Sequence, residues 1–74
     1  MGELNNRVRE YRARDRLSQQ ELAERIGASR QTIALIERGD YSPSVVLALK
    51  IAKVFQTDVE AVFWINKGES DSNE

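Results

Sequence analysis

The stretch LSQQELAERIGASRQTIALIE, from Leu17 to Glu37, constrains the fold more than any other part of the chain. Its small, apolar and polar positions alternate as two closely crossed helices require. Ser18 and Glu21 make an S-x-x-E capping box, which starts a helix just ahead of the apolar positions Leu22 and Ile26. Ala23 shares their face, where a close crossing admits little more than a methyl group. Gly27 supplies the left-handed residue that ends this helix. Ser29 caps a second helix, whose Ile33 and Ile36 point back at the first while Arg30, Gln31 and Thr32 point outward from its N-terminal end.

Two helices joined by so short a turn form a helix-turn-helix, spanning about residues 18–38. A plain αα-hairpin is the competing reading, but it has no need of Ala23, Gly27, Ile33 and Ile36 together with the outward hydrogen-bonding cluster Arg30, Gln31 and Thr32. Around this motif the pattern predicts three more helices. Leu4, Val8 and Tyr11 share a face of a first helix from about Leu4 to Arg14. Arg38 to Pro43 reads as a loop, with Gly39 as a C-cap and Pro43 discouraging helix before it. Ser44 caps a fourth helix with Val45, Ala48, Leu49, Ala52 and Phe55 on one face, and Asp58 caps a short fifth carrying Val59, Val62 and Phe63. One domain is expected over residues 1–66, followed at 67–74 by an acidic tail that has nothing to bury and should be disordered.

Composition narrows the chemistry. The chain has no cysteine and no histidine, which excludes disulfides, thiolate or imidazole metal ligands and imidazole acid–base catalysis. No metal site, cofactor or small-molecule substrate is expected. Glu21 and Glu24 sit three apart on a helix, yet without a phosphate loop, nucleophile elbow or ligand cluster they are ordinary surface charges, so the chain is not expected to be an enzyme. No apolar run approaches a membrane span and MGELNNRV lacks a signal-peptide core, so a cytoplasmic protein is expected; Asn6 also spoils the myristoylation signal that Gly2 suggests.

The net charge of −1 is unusual for a nucleic-acid partner, but its distribution is not. Residues 1–55 hold ten Lys and Arg against seven Asp and Glu, a net +3, whereas residues 56–74 carry a net −4. Arg7, Arg9, Arg12, Arg14 and Arg16 crowd the first segment, making one pole positive while the other repels DNA.

The chain resembles small lambda-repressor/Cro-type helix-turn-helix regulators of the XRE family from about Asn5 to Phe63. The strings LSQQELAERIGASRQTIALIERGDYSPS and ALKIAKVF carry the likeness. The resemblance implies an all-α, compact five-helix lambda-repressor-like domain that binds double-stranded DNA. It places Ser29, Arg30, Gln31 and Thr32, with Leu35 one turn on, at base-reading positions. Chemistry agrees for the first turn: Arg30 offers a planar fork to guanine O6 and N7, Gln31 suits adenine N6 and N7, and Thr32 suits a thymine methyl or one hydrogen bond. Leu35 departs from a position often polar in the family and gives apolar contact only. The resemblance further implies phosphate contacts from Gln19, Arg38, Tyr41 and Ser42, and a largely buried structural ion pair between Arg12 and Glu37. Asp40 departs from a position where lysine is common, and should point away from phosphate or weaken binding.

Val62, Phe63, Trp64 and Ile65 cannot all turn inward from one short helix. Relatives of this size pair as two-fold dimers, and those resembling the cytolysin-repressor type do so through this end, some with a short C-terminal strand. Phe63, Trp64 and Ile65, joined by Val46 and Leu47, are therefore the expected homodimer interface of a transcriptional repressor on a palindromic operator. The alternative function is an antitoxin-like protein-interaction module with secondary DNA binding, in which the Trp64 region grips a toxin.

Overall fold

The computed structural model describes residues 3–65 and runs β1 (Leu4–Asn6), α1 (Val8–Asp15), α2 (Gln19–Ile26), α3 (Arg30–Arg38), α4 (Val45–Val54), α5 (Val59–Val62) and β2 (Phe63–Ile65). The tail at 67–74 lies outside the described residues. Among those residues no helix is long and apolar enough to cross a membrane.

Three of the helix starts are built from serine hydroxyls. Ser18 accepts from the Glu21 N–H, Ser29 from the Thr32 N–H and Ser44 from the Leu47 N–H, each satisfying a first-turn donor that has no partner inside its helix. At Ser18 the box is closed, since the Glu21 carboxylate accepts the Ser18 N–H at 2.8 Å. That backbone bond, helped by the Ser18 hydroxyl, holds the Glu21 pKa below its ordinary 4.5. The stabilisation it brings is present above pH about 4.5 and is lost as pH falls through the lowered folded-state value. Glu21→Gln should therefore flatten the acid limb of a thermal-stability profile, and an unchanged limb would show that the box contributes nothing there. Asp58 departs from expectation, having cap-like backbone angles but no side-chain cap hydrogen bond.

The N-terminal segment corrects the sequence reading. Leu4–Asn6 is extended, not helical, and pairs antiparallel with β2 in the register Leu4↔Ile65, Asn5↔Trp64 and Asn6↔Phe63. Asn6 diverts it: its Oδ1 accepts the Val8 N–H at 3.0 Å, an Asx turn that starts α1, and its Nδ2 donates to the Ile36 carbonyl at 3.0 Å near the end of α3. The Arg7 N–H donates to the Val62 carbonyl at 2.9 Å, closing the junction between the two chain ends.

α2 and α3 make the helix-turn-helix, with Gly27 between them at φ 74°. Ala23 is fully buried with Leu22, Ile26, Ile33 and Ile36, as a close crossing requires. α4 is rotated from the face read from sequence. Ile51, Ala52 and the following Phe55 are buried, with Leu47 and Ala48 packed against them, while Val45, Val46 and Leu49 face outward. VVLALKIAKV is apolar nearly all round, so two stripes satisfy the helical period; Lys50 and Lys53, exposed and three apart, mark the solvent side that Val46 and Leu49 share. Tyr11 of α1 stacks on Phe55, ring centroids 5.2 Å apart, and α5 adds Val62 to the core floor.

Beyond α4, Gln56 stands at φ 57°, a left-handed conformation that costs a side-chain-bearing residue about 1–2 kcal/mol. Gln56→Gly should raise stability by about 0.5–1 kcal/mol in urea denaturation, because relief of strain outweighs the extra freedom of the unfolded chain. A loss of stability would mean the glutamine side chain makes a contact that offsets its backbone.

Candidate nucleic-acid interface

The surface of interest is the outward side of α3, and its orientation is set from beneath by charge. Glu37, on the last turn of α3, has a side chain only 1% exposed, and Arg12 of α1 reaches it with a side chain 17% exposed. Arg12 Nε donates to Glu37 Oε2 at 2.6 Å and Nη2 to Oε1 at 3.1 Å, a two-pronged pair that locks both planes. Arg12 Nη1 also donates to the Leu17 carbonyl at 2.9 Å, tying the α1–α2 connection to the same point. These carboxylate bonds raise the Arg12 pKa further above its already high value, so the cation persists at any working pH.

Gln19 completes the cluster. Its Nε2 donates to Glu37 Oε1 at 3.1 Å, so the side chain read as a phosphate ligand lies partly inward, over the carboxylate. A primary amide carries two N–H donors, and one bond to Glu37 leaves the second for another acceptor. Sequence reasoning missed this role of Gln19, although its place at the first turn of α2, beside the Arg12–Glu37 pair, is what allows it.

At the N-terminus of α3 the candidates divide. Ser29 and Thr32 hydroxyls bond each other at 2.9 Å, and the Ser29 oxygen also takes the Thr32 N–H at 3.1 Å. Both serve the cap first. Arg30 and Gln31 are exposed, and among the described residues their side chains make no hydrogen bond or ion pair. Leu35 lies one turn on and is half-buried, offering an apolar edge. The first turn of α3 holds no acidic residue.

Past α3, Gly39 at φ 83° turns the chain into the loop carrying Asp40, Tyr41 and Ser42, all exposed. Arg38 is not free there, since its Nη2 and Nε donate to Asp40 Oδ2 at 2.7 and 3.1 Å. The other arginines of the first segment are largely occupied. Arg14 donates to the Phe55 carbonyl at 2.9 Å and pairs with Asp15, while the Arg7 guanidinium lies 4.8 Å from the centre of the Trp64 ring.

The geometry thus comprises a short helix pinned by the Arg12–Glu37 ion pair, with an arginine and a glutamine at its exposed N-terminal end that have no partner among the described residues. A helix-turn-helix family profile matches residues 8–62, the whole span from α1 to α5. The chain belongs to the XRE-type helix-turn-helix family. As such it is a DNA-binding regulator and not an enzyme. It is 52% identical over 64 residues to the uncharacterized HTH-type transcriptional regulator YgzD of Bacillus subtilis (strain 168), covering 86% of this chain and 97% of that one. It is 48% identical over 60 residues to the uncharacterized HTH-type transcriptional regulator MJ0272 of Methanocaldococcus jannaschii, covering 81% and 91%. Its fold is shared by the P22 c2 repressor, solved in complex with a synthetic operator, at a TM-score of 0.69 and 24% identity over 72% of this chain and 80% of that one. Within this helix-turn-helix regulator, the short β1–β2 ribbon is the non-helical addition to the lambda-repressor-like five-helix plan.

The expected interface residues at the chain's end are placed unevenly. Phe63 is buried in its own core and Leu47 packs against it, so both are corrected from outward to inward. Burial falls along β2 from Phe63 through Trp64 to Ile65, which is exposed at the far end of the strand. Trp64 is half-buried beneath Arg7, and Val46 is exposed.

Proposed function

We propose that this regulator binds double-stranded DNA sequence-specifically as a homodimer, each protomer laying α3 in the major groove of one half of a palindromic operator, and that it represses by occluding a promoter. The carrying observation is the contrast on α3: Glu37 is held by Arg12 and Gln19, whereas Arg30 and Gln31 stand exposed and unengaged at the end from which this motif reads bases. Arg30 takes guanine O6 and N7, Gln31 takes adenine N6 and N7, and Leu35 brushes a thymine methyl. Ser29 and Thr32 contribute through the edge of their shared hydroxyl bond. Gln19 spends its second amide proton on a phosphate, and Tyr41 and Ser42 present hydroxyls to the backbone from the loop.

Pairing of two copies is supported by exposed apolar side chains. Val45, Val46 and Leu49 crowd one outward face of α4, and Ile65 stands out from β2 beside Trp64. These replace Leu47 and Phe63 in the expected interface. Two-fold symmetry then sets the half-site centres about 34 Å apart on one face of the duplex. Selection from a random duplex pool at about 0.1 M salt, with sedimentation of the winning complex, tests this reading. An enriched palindrome carrying two protomers is expected; an asymmetric site carrying one protomer would contradict the dimer, and no enrichment would contradict sequence-specific binding.

A further inference from the structure

We infer that Asp40 sets the ceiling on DNA affinity by withholding Arg38 from the phosphate backbone, an inference that rests on the DNA-binding reading above. Arg38 is the last residue of α3 and Asp40 follows one residue after the Gly39 turn. The backbone there is fixed, since the Gly39 N–H donates to the Ile36 carbonyl at 3.0 Å and the Asp40 N–H to the Leu35 carbonyl at 2.9 Å. The carboxylate is therefore delivered to Arg38 by the helix cap itself. Both guanidinium contacts converge on the single oxygen Oδ2. The pair is open to solvent, with side chains 64% and 43% exposed, so it exchanges with a competing anion.

The placement is otherwise unfavourable for an acid. The C-terminal end of a helix carries the negative pole of its dipole and favours cations over carboxylates. Arg38 is the only cation that the described residues bring to Asp40 as an ion pair. A DNA phosphate arriving at this end meets an arginine whose guanidinium Asp40 already engages. Asp40 acts here as a competitor, so binding that would otherwise use Arg38 uses it only after the pair is broken.

The two ways an acid can weaken binding, holding Arg38 or merely repelling phosphate, separate in a double-mutant cycle. The full chain, Asp40→Asn, Arg38→Ala and the double variant are titrated with one fluorescent 20-base-pair duplex over a series of salt concentrations. Asp40→Asn should tighten binding about fivefold per protomer, the scale of one exposed ion pair, and steepen the slope of log K against log salt by about 0.9 per protomer, one more phosphate neutralised in each half-site. In the Arg38→Ala background that gain should vanish. An equal gain in both backgrounds would overturn the withholding of Arg38 and leave simple repulsion, with the DNA-binding reading intact. No change on Asp40→Asn would overturn the inference altogether. If none of the four proteins binds the duplex at low salt, the DNA-binding reading itself falls and the inference with it. Circular dichroism of each variant confirms that the cap of α3 is kept.

Discussion

Arg12→Ala is expected to cost about 3–5 kcal/mol of folding stability, the penalty for leaving a buried charge without its partner. The change strands the Glu37 carboxylate, 1% exposed, with only Gln19 at 3.1 Å and a distant Arg9 at 3.8 Å. It also removes the donor to the Leu17 carbonyl, which ties α1 to the helix-turn-helix. A domain of this size commands only a few kcal/mol in total, so the loss takes most of it. Thermal unfolding followed by circular dichroism should show the midpoint falling by more than about 12 °C. Replacing both partners with apolar residues, Arg12→Leu with Glu37→Met, should recover part of the loss, because neither charge is then stranded. An unchanged midpoint with weakened DNA binding would instead make Arg12 a phosphate ligand.

Arg30→Ala should leave that midpoint where it is and cost about 1–3 kcal/mol of binding at one base position of each half-site. Its side chain is exposed and has no partner among the described residues, so truncation removes nothing from the fold. In a dimer both half-sites lose the contact, so the effect on a symmetric site is doubled. Competition between the selected operator and single-base variants reads the result. The preference for one base pair should collapse while the other positions keep theirs. A uniform loss across all competitors, with a shallower salt slope, would assign Arg30 to phosphate.

What the chain displays in its sequence and what it conceals follow from how local each signal is. The helix-turn-helix was legible because its caps, Ser18 with Glu21, Ser29 and Gly27, act within a few residues and leave fixed spacings. Ser44 was legible for the same reason. The C-terminal strand β2 came only from the family resemblance, and its partner β1 was not legible at all, because Leu4–Asn6 becomes a strand only through pairing with residues some sixty positions away. Asn6 shows the difficulty, since its amide serves the carbonyl of Ile36, a partner that nothing nearby announces. The face of α4 was misread because apolar residues on all sides leave the helical period undecided, and only Lys50 and Lys53 break the tie.

Within the site, residue types showed what each group could bind but not what already binds it. Arg38 looks like a phosphate ligand until Asp40 is found on its guanidinium, and Gln19 until its amide is found on Glu37. Competing intramolecular partners depend on side-chain geometry across a cap or a helix crossing, which spacing alone does not convey. Arg30 and Gln31 are exposed and make no such contact among the described residues, because the first turn of α3 holds no acidic competitor.

The most direct test is whether changing the first turn of α3 changes the sequence that the protein selects. The full chain and Arg30→Ala would each be presented with the same random duplex pool at about 0.1 M salt, and the enriched sites compared base by base. The expected result is a shared palindrome that loses its guanine preference at one position in each half-site when Arg30 is removed. The same motif from both proteins, differing only in overall affinity, would contradict base reading by α3.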